Sequence, residues 1–511
     1  MGLTYIDSDT KINAEMLKKL KNGTDIRGIA IENSEGKVNL TSAVVKSIGC
    51  GFANWLKNNK NHENCDFKIA VGTDSRLSGP ELKASLLEIL VGLGCLVYDC
   101  GMTTTPSMFM TTVMEQYKCD GAIMITASHL PYYYNGLKFF TSNGGCESKD
   151  IDDILNLAVE INISSGEVAK GKIEKINLVE DYSKLLIEKV RKSVKSITDY
   201  DKPLSGSKII VDAGNGAGGF FAEIILKELG ADTEGSQFLE PDGNFPNHIP
   251  NPENKAAMES IKKAVLRNGA DLGIIFDTDV DRAAIVSKEG KEINKNALIA
   301  LISSIIIKEK PGATIVTDSI TSTGLTEFID NLGGVHHRFK RGYKNVINEA
   351  KRLNAEGIES PLAIETSGHA ALKENYFLDD GAYLIVKILI EMSKLKEAGK
   401  SIRSLIDQLQ EPLESDDIRI KIKCESFKEY GSATIGGLKK FILNVDGWDI
   451  EPKNYEGIRI NCGKERGWFL LRLSLHEPVL ALNIETDTIG GTEKILSKLK
   501  EFMQEYKELE F

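Results

Sequence analysis

The sequence predicts an α/β protein of several domains, and three observations carry that prediction. Apolar, β-branched runs alternate with stretches of helical period for most of the length. The chain has 511 residues, and at roughly 150 residues per domain that is about three or four domains. Three of the apolar runs end in polar loops, at 126–131, 277–282 and 365–369. Open α/β sheets bind ligands beyond the carboxyl ends of their strands, so chemistry is expected at these loops.

The elements follow in order. KIAVGTD (68–74) reads as a strand, GPELKASLLEILVGLG as a helix and GAIMITAS (121–128) as a second buried strand. A polar stretch near 181–200, with the charged helix DYSKLLIEKVRKSVKSI, separates this unit from the next. The second unit runs KIIVDAG, helix, helix NKAAMESIKKAVLRNG and strand DLGIIFD. The third runs helix NKNALIALISSIIIKE, strand TIVTDS, helix TGLTEFIDNLG and strand PLAIET. Beyond about Glu411 the pattern turns to a smaller α+β reading, with KIKCES, IRINCG and WFLLRLS as strands and TEKILSKLKEFMQEYKEL as a closing helix.

Composition bounds the function. Hydrophobic residues make up 41% and charged residues 27%, as in soluble globular proteins. The balance of 63 Lys+Arg against 74 Asp+Glu gives −11, which argues against nucleic acid or an anionic membrane as partner. A local cluster of Arg, Lys and helix N-termini can still hold a phosphorylated substrate. The most apolar stretch, LIALISSIII (298–307), is about half a membrane span. The N-terminus has no apolar signal core, and Ile6 stands where myristoylation needs Ser or Thr. Eight scattered cysteines without a C-x-x-C pair read as reduced thiols. A soluble, cytoplasmic protein is expected.

Four loops carry candidate chemistry. In ITASHLPYYYNGLKFF (125–140), Ser128 follows a buried strand and precedes His129, as a nucleophile could; a surface serine in a turn before Pro131 is the bland alternative. T-A-S-H-L is not the G-x-S-x-G elbow of a serine hydrolase. In IIFDTDVDR, Asp277, Asp279 and Asp281 alternate at a strand exit; like charges converge there only around a cation, and hard oxygen ligands suit Mg²⁺. An EF-hand begins the same way, but Arg282 replaces its turn glycine and Lys288 its twelfth-position Glu. In IETSGHAALKENYFLDDGAY, Glu365, Ser367 and His369 alternate and would suit a polyhydroxylated ligand; a generic polar loop is the equal alternative. In LLRLSLHEP, Arg472, Ser474 and His476 offer a phosphate clamp. Gly214, Gly216 and Gly219 match G-x-G-x-x-G, yet no acidic residue ends the next strand. A tight strand–helix turn packed on its glycines is therefore expected, not a dinucleotide site.

Together these motifs resemble the α-D-phosphohexomutase family, and within it the phosphomannomutase/phosphoglucomutase group. The resemblance rests on GTDIRG (23–28), VGTDSR (71–76), GMTTTP (101–106), TASHLP (126–131), YNGLK (134–138), VDAGNGAGG (211–219), DTDVDR (277–282), ETSGH (365–369) and RLSLHEP (472–478), which stand in the family order. It implies four domains around a central cleft, three similar α/β domains and a smaller α+β one, at 1–180, 181–293, 294–412 and 413–511. It implies that Ser128 is the phosphorylated serine and that Asp277, Asp279 and Asp281 hold Mg²⁺ together with an oxygen of Ser128. Arg27, His129, Lys138 and Arg282 would surround the reacting phosphate, with Lys138 or His129 handling the proton. Glu365, Ser367 and His369 would contact the sugar, with Lys344 as a further contact. Arg472, Ser474 and His476 would grip the distal phosphate.

The resemblance further implies a mutase interconverting hexose 1- and 6-phosphates, of glucose or mannose, through glucose 1,6-bisphosphate as intermediate and activator. The partner would be a small sugar phosphate, and the protein a monomer or homodimer. The in-family alternative is phosphoglucosamine mutase; the alternatives outside it are a serine hydrolase or a Ca²⁺-binding module. The chain departs from the usual family form at Thr278 and Val280, where glycines are usual between the carboxylates. It departs again at Ile364, Leu475-His476 and the stretch FKRGYKNV (339–346).

Overall fold

The computed structural model describes residues 12–60, 66–159, 171–196, 199–474 and 477–511. It is an α/β protein that divides into two compact units. One is Met1–Ile293 with Ser367–Ala371 and Asn375–Ile402; the other is Asn294–Thr366 with Leu372–Glu374 and Arg403–Phe511.

The first unit contains two sheets. In the larger, the parallel strands Gly121–Ile125, Lys68–Thr73, Leu96–Met102 and Lys172–Lys175 lie side by side. Tyr134–Thr141 then adds antiparallel to Gly121–Ile125, and Asp25–Ile29 to Tyr134–Thr141. Every residue of Gly121–Ile125 is buried, which explains its unbroken apolar run. Helices Ser42–Lys60, Gly79–Gly92 and Ser148–Val159 cover the sheet through a core that includes Phe52, Leu86 and Ile154. The smaller sheet orders Glu292–Ile293, Ala283–Ser287, Leu272–Phe276 and Ile209–Asp212. Helix Lys255–Asn268 packs on it, capped by the Asn254 side chain and ended by Gly269 in the left-handed region. The glycine-rich turn after Ile209–Asp212 packs as expected: a Cβ on Gly216 would lie 2.7 Å from the Thr278 carbonyl oxygen. The helix after it opens as a π-helical turn, Phe221–Leu226. The long helix Gly381–Glu397 also belongs to this unit, against Leu178–Val194 and Ala283–Ser287.

In the second unit, Thr314–Thr317 pairs in parallel with Val335–Arg338 and Leu362–Ile364. The apolar stretch around Leu298 is helix Lys295–Glu309, apolar on most sides because 297–303 and 305–307 are buried. Among the described residues no helix is long and apolar enough to cross a membrane. The C-terminal sheet orders Trp448–Ile450, Ile458–Cys462, Gly467–Leu473, Val479–Thr486, Glu414–Ile422 and Leu509–Glu510.

Two C-terminal expectations need correction. The strand expected at KIKCES is Glu414–Ile422, set by eight paired positions along Val479–Thr486. The closing helix stops at Met503, because Leu509–Glu510 turns back to pair with Lys421–Ile422 and leaves Tyr506 packed on the core. Among the described residues the cysteines form no disulfide, and all but Cys424 are buried; Cys65 lies outside the described residues.

Candidate active site

Ser128 follows strand Gly121–Ile125 and is 3% exposed. Its backbone is in the left-handed region, at φ 51°, which a non-glycine residue holds only when its surroundings fix it. Its N–H donates to Thr126 Oγ1 at 2.9 Å, and Thr126 in turn donates to Asp74 at 2.7 Å. The Ser128 hydroxyl donates to Asp277 Oδ2 at 3.0 Å and accepts from Arg282 at 3.0 Å. His129 Nδ1 lies 3.3 Å from that hydroxyl and 2.5 Å from the Arg282 guanidinium. Burial, then the charges of Arg282 and Arg27, push the His129 imidazole down to about 2. It is therefore neutral, and Nδ1 accepts from Arg282.

Asp277, Asp279 and Asp281 leave strand Leu272–Phe276 with their carboxylates buried and ligand atoms within 4.8 Å of one another. Lys138, on strand Tyr134–Thr141 of the larger sheet, donates to Asp279 at 2.8 Å and to Asp281 at 2.6 Å. Arg282 Nε donates to Asp277 at 3.1 Å. Burial and the charge of Asp281 raise the Asp277 carboxyl well above the usual range. For Asp281 burial acts the same way but is outweighed by Lys138, His369 and Arg282, which hold it below that range.

Two cations thus face three carboxylates, and the buried Asp279 Oδ1 and Asp281 Oδ1 accept no hydrogen bond from the described residues. Such oxygens are costly to bury unsatisfied, and a small hard cation would satisfy both. The residues present fit Mg²⁺. Val280 sits at φ 65° between the carboxylates, a left-handed conformation that favours glycine. Its carbonyl accepts from Gly381 N at 3.0 Å, at the first turn of Gly381–Glu397. A Cβ at Gly381 would lie 2.7 Å from the Arg282 carbonyl carbon, so that helix backs directly onto the loop.

His369 forms an isolated bridge with Arg282 and lies 3.6 Å from Asp281, while its Nδ1 pairs with Ser367 Oγ at 2.9 Å. The structure thus brings His369 to the acidic loop. Arg27 pairs across the sheet with Gly136 and donates to Asp25 at 3.1 Å; its buried Nε has no hydrogen-bond partner.

In the second unit, Glu365 accepts from Gly342 N at 2.6 Å. Lys344 lies two residues on, in the first turn of helix Tyr343–Ala355. Glu456 gathers three elements: it accepts from Ser319 Oγ at 2.5 Å and Arg341 N at 3.0 Å, and pairs with Arg472 at 3.8 Å. Arg472 is the last residue but one of strand Gly467–Leu473, and Ser474 Oγ accepts from Glu477 N at 3.3 Å. His476 lies outside the described residues.

Known proteins match most of the chain. The descriptions "Phosphoglucomutase/phosphomannomutase, alpha/beta/alpha domain" I, II and III match residues 18–162, 184–290 and 294–413. The chain belongs to the phosphoglucomutase/phosphomannomutase family. It is an enzyme of the isomerase class. A phosphomannomutase/phosphoglucomutase of Pseudomonas putida is 30% identical over 84% of this chain and 85% of its own length. A phosphomannomutase of Methanocaldococcus jannaschii is 31% identical over 91% and 92%. A crystal structure of a phosphoglucomutase/phosphomannomutase family protein from Burkholderia thailandensis superposes with a TM-score of 0.77 at 26% identity, covering 96% of this chain and 98% of that one.

Within this family member, four side chains at the site escaped the residue-by-residue reading. Thr105, from GMTTTP, donates its hydroxyl to Asp279 Oδ2 at 2.5 Å and its N–H to the Asp279 carbonyl at 2.9 Å. Asn251 and Glu253 flank Arg282, at 3.5 and 3.7 Å. Arg76, from VGTDSR, grips the Ser128 loop from beneath. Both motifs carried the resemblance, but nothing local in them points to chemistry. Glu456 left no signal in the sequence at all.

Proposed function

We propose that this enzyme interconverts hexose 1-phosphate and hexose 6-phosphate, of glucose, mannose or both, with Ser128 as the phosphoryl carrier. The observation that carries the proposal is the Ser128 hydroxyl held between Asp277 and Arg282, beside two buried carboxylate oxygens without donors. A buried serine next to a cation-ready acidic trio suits phosphoryl transfer, which needs positioning and charge neutralisation more than covalent chemistry.

In the proposed reaction, phosphoserine 128 loses its P–O bond to Oγ as the sugar hydroxyl oxygen bonds phosphorus. The hydroxyl proton passes to a protein base, and a hexose 1,6-bisphosphate results. The bisphosphate reverses its orientation and returns its other phosphoryl group to Ser128, which restores the enzyme. Asp277, Asp279 and Asp281 would hold Mg²⁺, which would neutralise charge on the phosphoryl group. Arg282 and Arg27 add positive charge at the same place. Lys138 or His129 would handle the proton: Lys138 lies between two carboxylates, whereas His129, neutral with Nδ1 accepting from Arg282, carries its hydrogen on Nε2 and would take a proton at Nδ1 only on releasing Arg282. Glu365, Ser367 and His369 would contact the sugar, with Lys344 as a further contact. Arg472, Ser474 and His476 would take the distal phosphate.

The test is a coupled assay with glucose 1-phosphate, mannose 1-phosphate and glucosamine 1-phosphate, each with its bisphosphate activator. Turnover of the first or second, with the third slower, supports the reading. Preference for glucosamine 1-phosphate would move the enzyme to the phosphoglucosamine branch.

A further inference from the structure

The hydroxyl of Ser128 can attack or leave in line only if the loop that carries it is fixed, and that loop has an uncommon backbone. Residues 126–133, before strand Tyr134–Thr141, form no regular structure, and Ser128 at φ 51° lies within them. Their carbonyls converge on one side chain. Arg76, 1% exposed, donates NH2 to the carbonyls of Ser128 and Leu130, both at 2.5 Å. Its NH1 donates to those of Pro131 and Tyr134, both at 2.8 Å. A planar guanidinium presents donors in a fixed fork, and here two of its nitrogens span seven residues of loop.

Arg76 is itself held from two sides. Asp74 accepts its N–H at 2.9 Å and pairs with its Nε at 3.3 Å. The same carboxylate accepts from Thr126, whose hydroxyl accepts from Ser128 N. The guanidinium and Asp74 therefore reach both the carbonyl and the N–H of Ser128. From the other side, the Phe245 ring lies 5.3 Å from the guanidinium carbon. At Gly243 the chain passes so close that a Cβ would lie 2.5 Å from Leu77 N and 2.6 Å from the Ser75 carbonyl. The segment 243–245 thus closes over Arg76 and shields it from water.

We propose that Arg76 is a positioning residue for phosphoryl transfer: by holding four carbonyls of the 128–134 loop it aims Ser128 Oγ at Asp277 and Arg282. This rests on the reading of Ser128 as phosphoryl carrier. Lysine would keep the charge beside Asp74, but a single ammonium cannot span the carbonyls that the two guanidinium nitrogens reach. A nucleophile misplaced by an ångström loses about 10²-fold in rate, while binding of sugar and distal phosphate stays as it was.

The experiment compares wild type, Arg76→Lys and Phe245→Ala by steady-state kinetics, thermal melting and mass analysis of the peptide containing Ser128. Arg76→Lys is expected to lower kcat about 100-fold with KM within about twofold of wild type. Phe245→Ala, which removes the cover but keeps the fork, is expected to lower kcat by a smaller factor at unchanged KM. It decides the matter if Arg76→Lys does not fold. Wild-type kcat in whichever variant folds overturns the proposal, as does a loss shared equally by kcat, KM and melting temperature. Wild-type protein that turns over without ever carrying phosphate on Ser128 overturns the underlying reading instead, and that outcome is seen in the mass data alone.

Discussion

Thr105→Val tests whether the acidic loop is built for a metal. Asp279 is fully buried, and its Oδ2 receives two donors, Thr105 Oγ1 at 2.5 Å and Lys138 Nζ at 2.8 Å. Together they turn the carboxylate so that Oδ1 is left for a cation. Valine keeps the shape of threonine and the backbone bond from residue 105 to the Asp279 carbonyl, but removes the hydroxyl donor. A hydrogen bond to a charged group contributes about 1.5–3 kcal/mol, or roughly 10- to 150-fold. Part of that is lost in the metal-free state too and cancels in the binding constant. The expected rise in Mg²⁺ Kd is therefore near the low end of the usual effect of a metal ligand's partner, about tenfold. Calorimetric titration with Mg²⁺, alongside kcat measured against Mg²⁺ concentration, reads it out. Activity should return at high Mg²⁺, and Thr105→Ser should restore the wild-type Kd. A wild-type Kd in Thr105→Val, or lost turnover that Mg²⁺ does not recover, would refute the reasoning.

Three further outcomes are expected. Removal of metal with EDTA should abolish turnover and Mg²⁺ should restore it, and Asp279→Asn should raise the Mg²⁺ Kd by removing one of three hard anionic ligands; full activity in metal-free protein would contradict the assignment. Arg472→Ala should lower kcat/KM about 30- to 150-fold, mainly through KM, because the distal phosphate is held in ground and transition states alike; unchanged KM and unchanged need for bisphosphate activator would place that phosphate elsewhere.

What the sequence made legible follows from where each signal lies. The Asp loop was readable because three like charges alternate within five residues at the end of an apolar strand, a local pattern with a local cause. Ser128 was readable for the same reason, as a hydroxyl at a strand exit. Thr105 and Arg76 were not, because their partners are remote: Asp279 is 174 residues from Thr105, and the Ser128 carbonyl is 52 from Arg76. His369 read as a sugar contact, and only the fold brings it to Asp281. The alternation of strands and helices gave most elements, since burial writes itself into periodicity. It failed at the C-terminus, where Tyr506 and Leu509 continue a helical pattern but are drawn onto the sheet by pairing with Lys421–Ile422. There tertiary contacts outweigh helix propensity.

The central claim is that the phosphoryl group travels on Ser128, and a pulse and chase of that group tests it most directly. Enzyme is incubated with glucose 1,6-bisphosphate labelled in its phosphates, freed of small molecules and digested, and the labelled peptide is identified. A second portion is given unlabelled glucose 1-phosphate before digestion. The account predicts label on the peptide containing Ser128, absent in Ser128→Ala, and its discharge into sugar bisphosphate within the turnover time. An active enzyme that carries no label at Ser128, or carries label that glucose 1-phosphate does not remove, would contradict it.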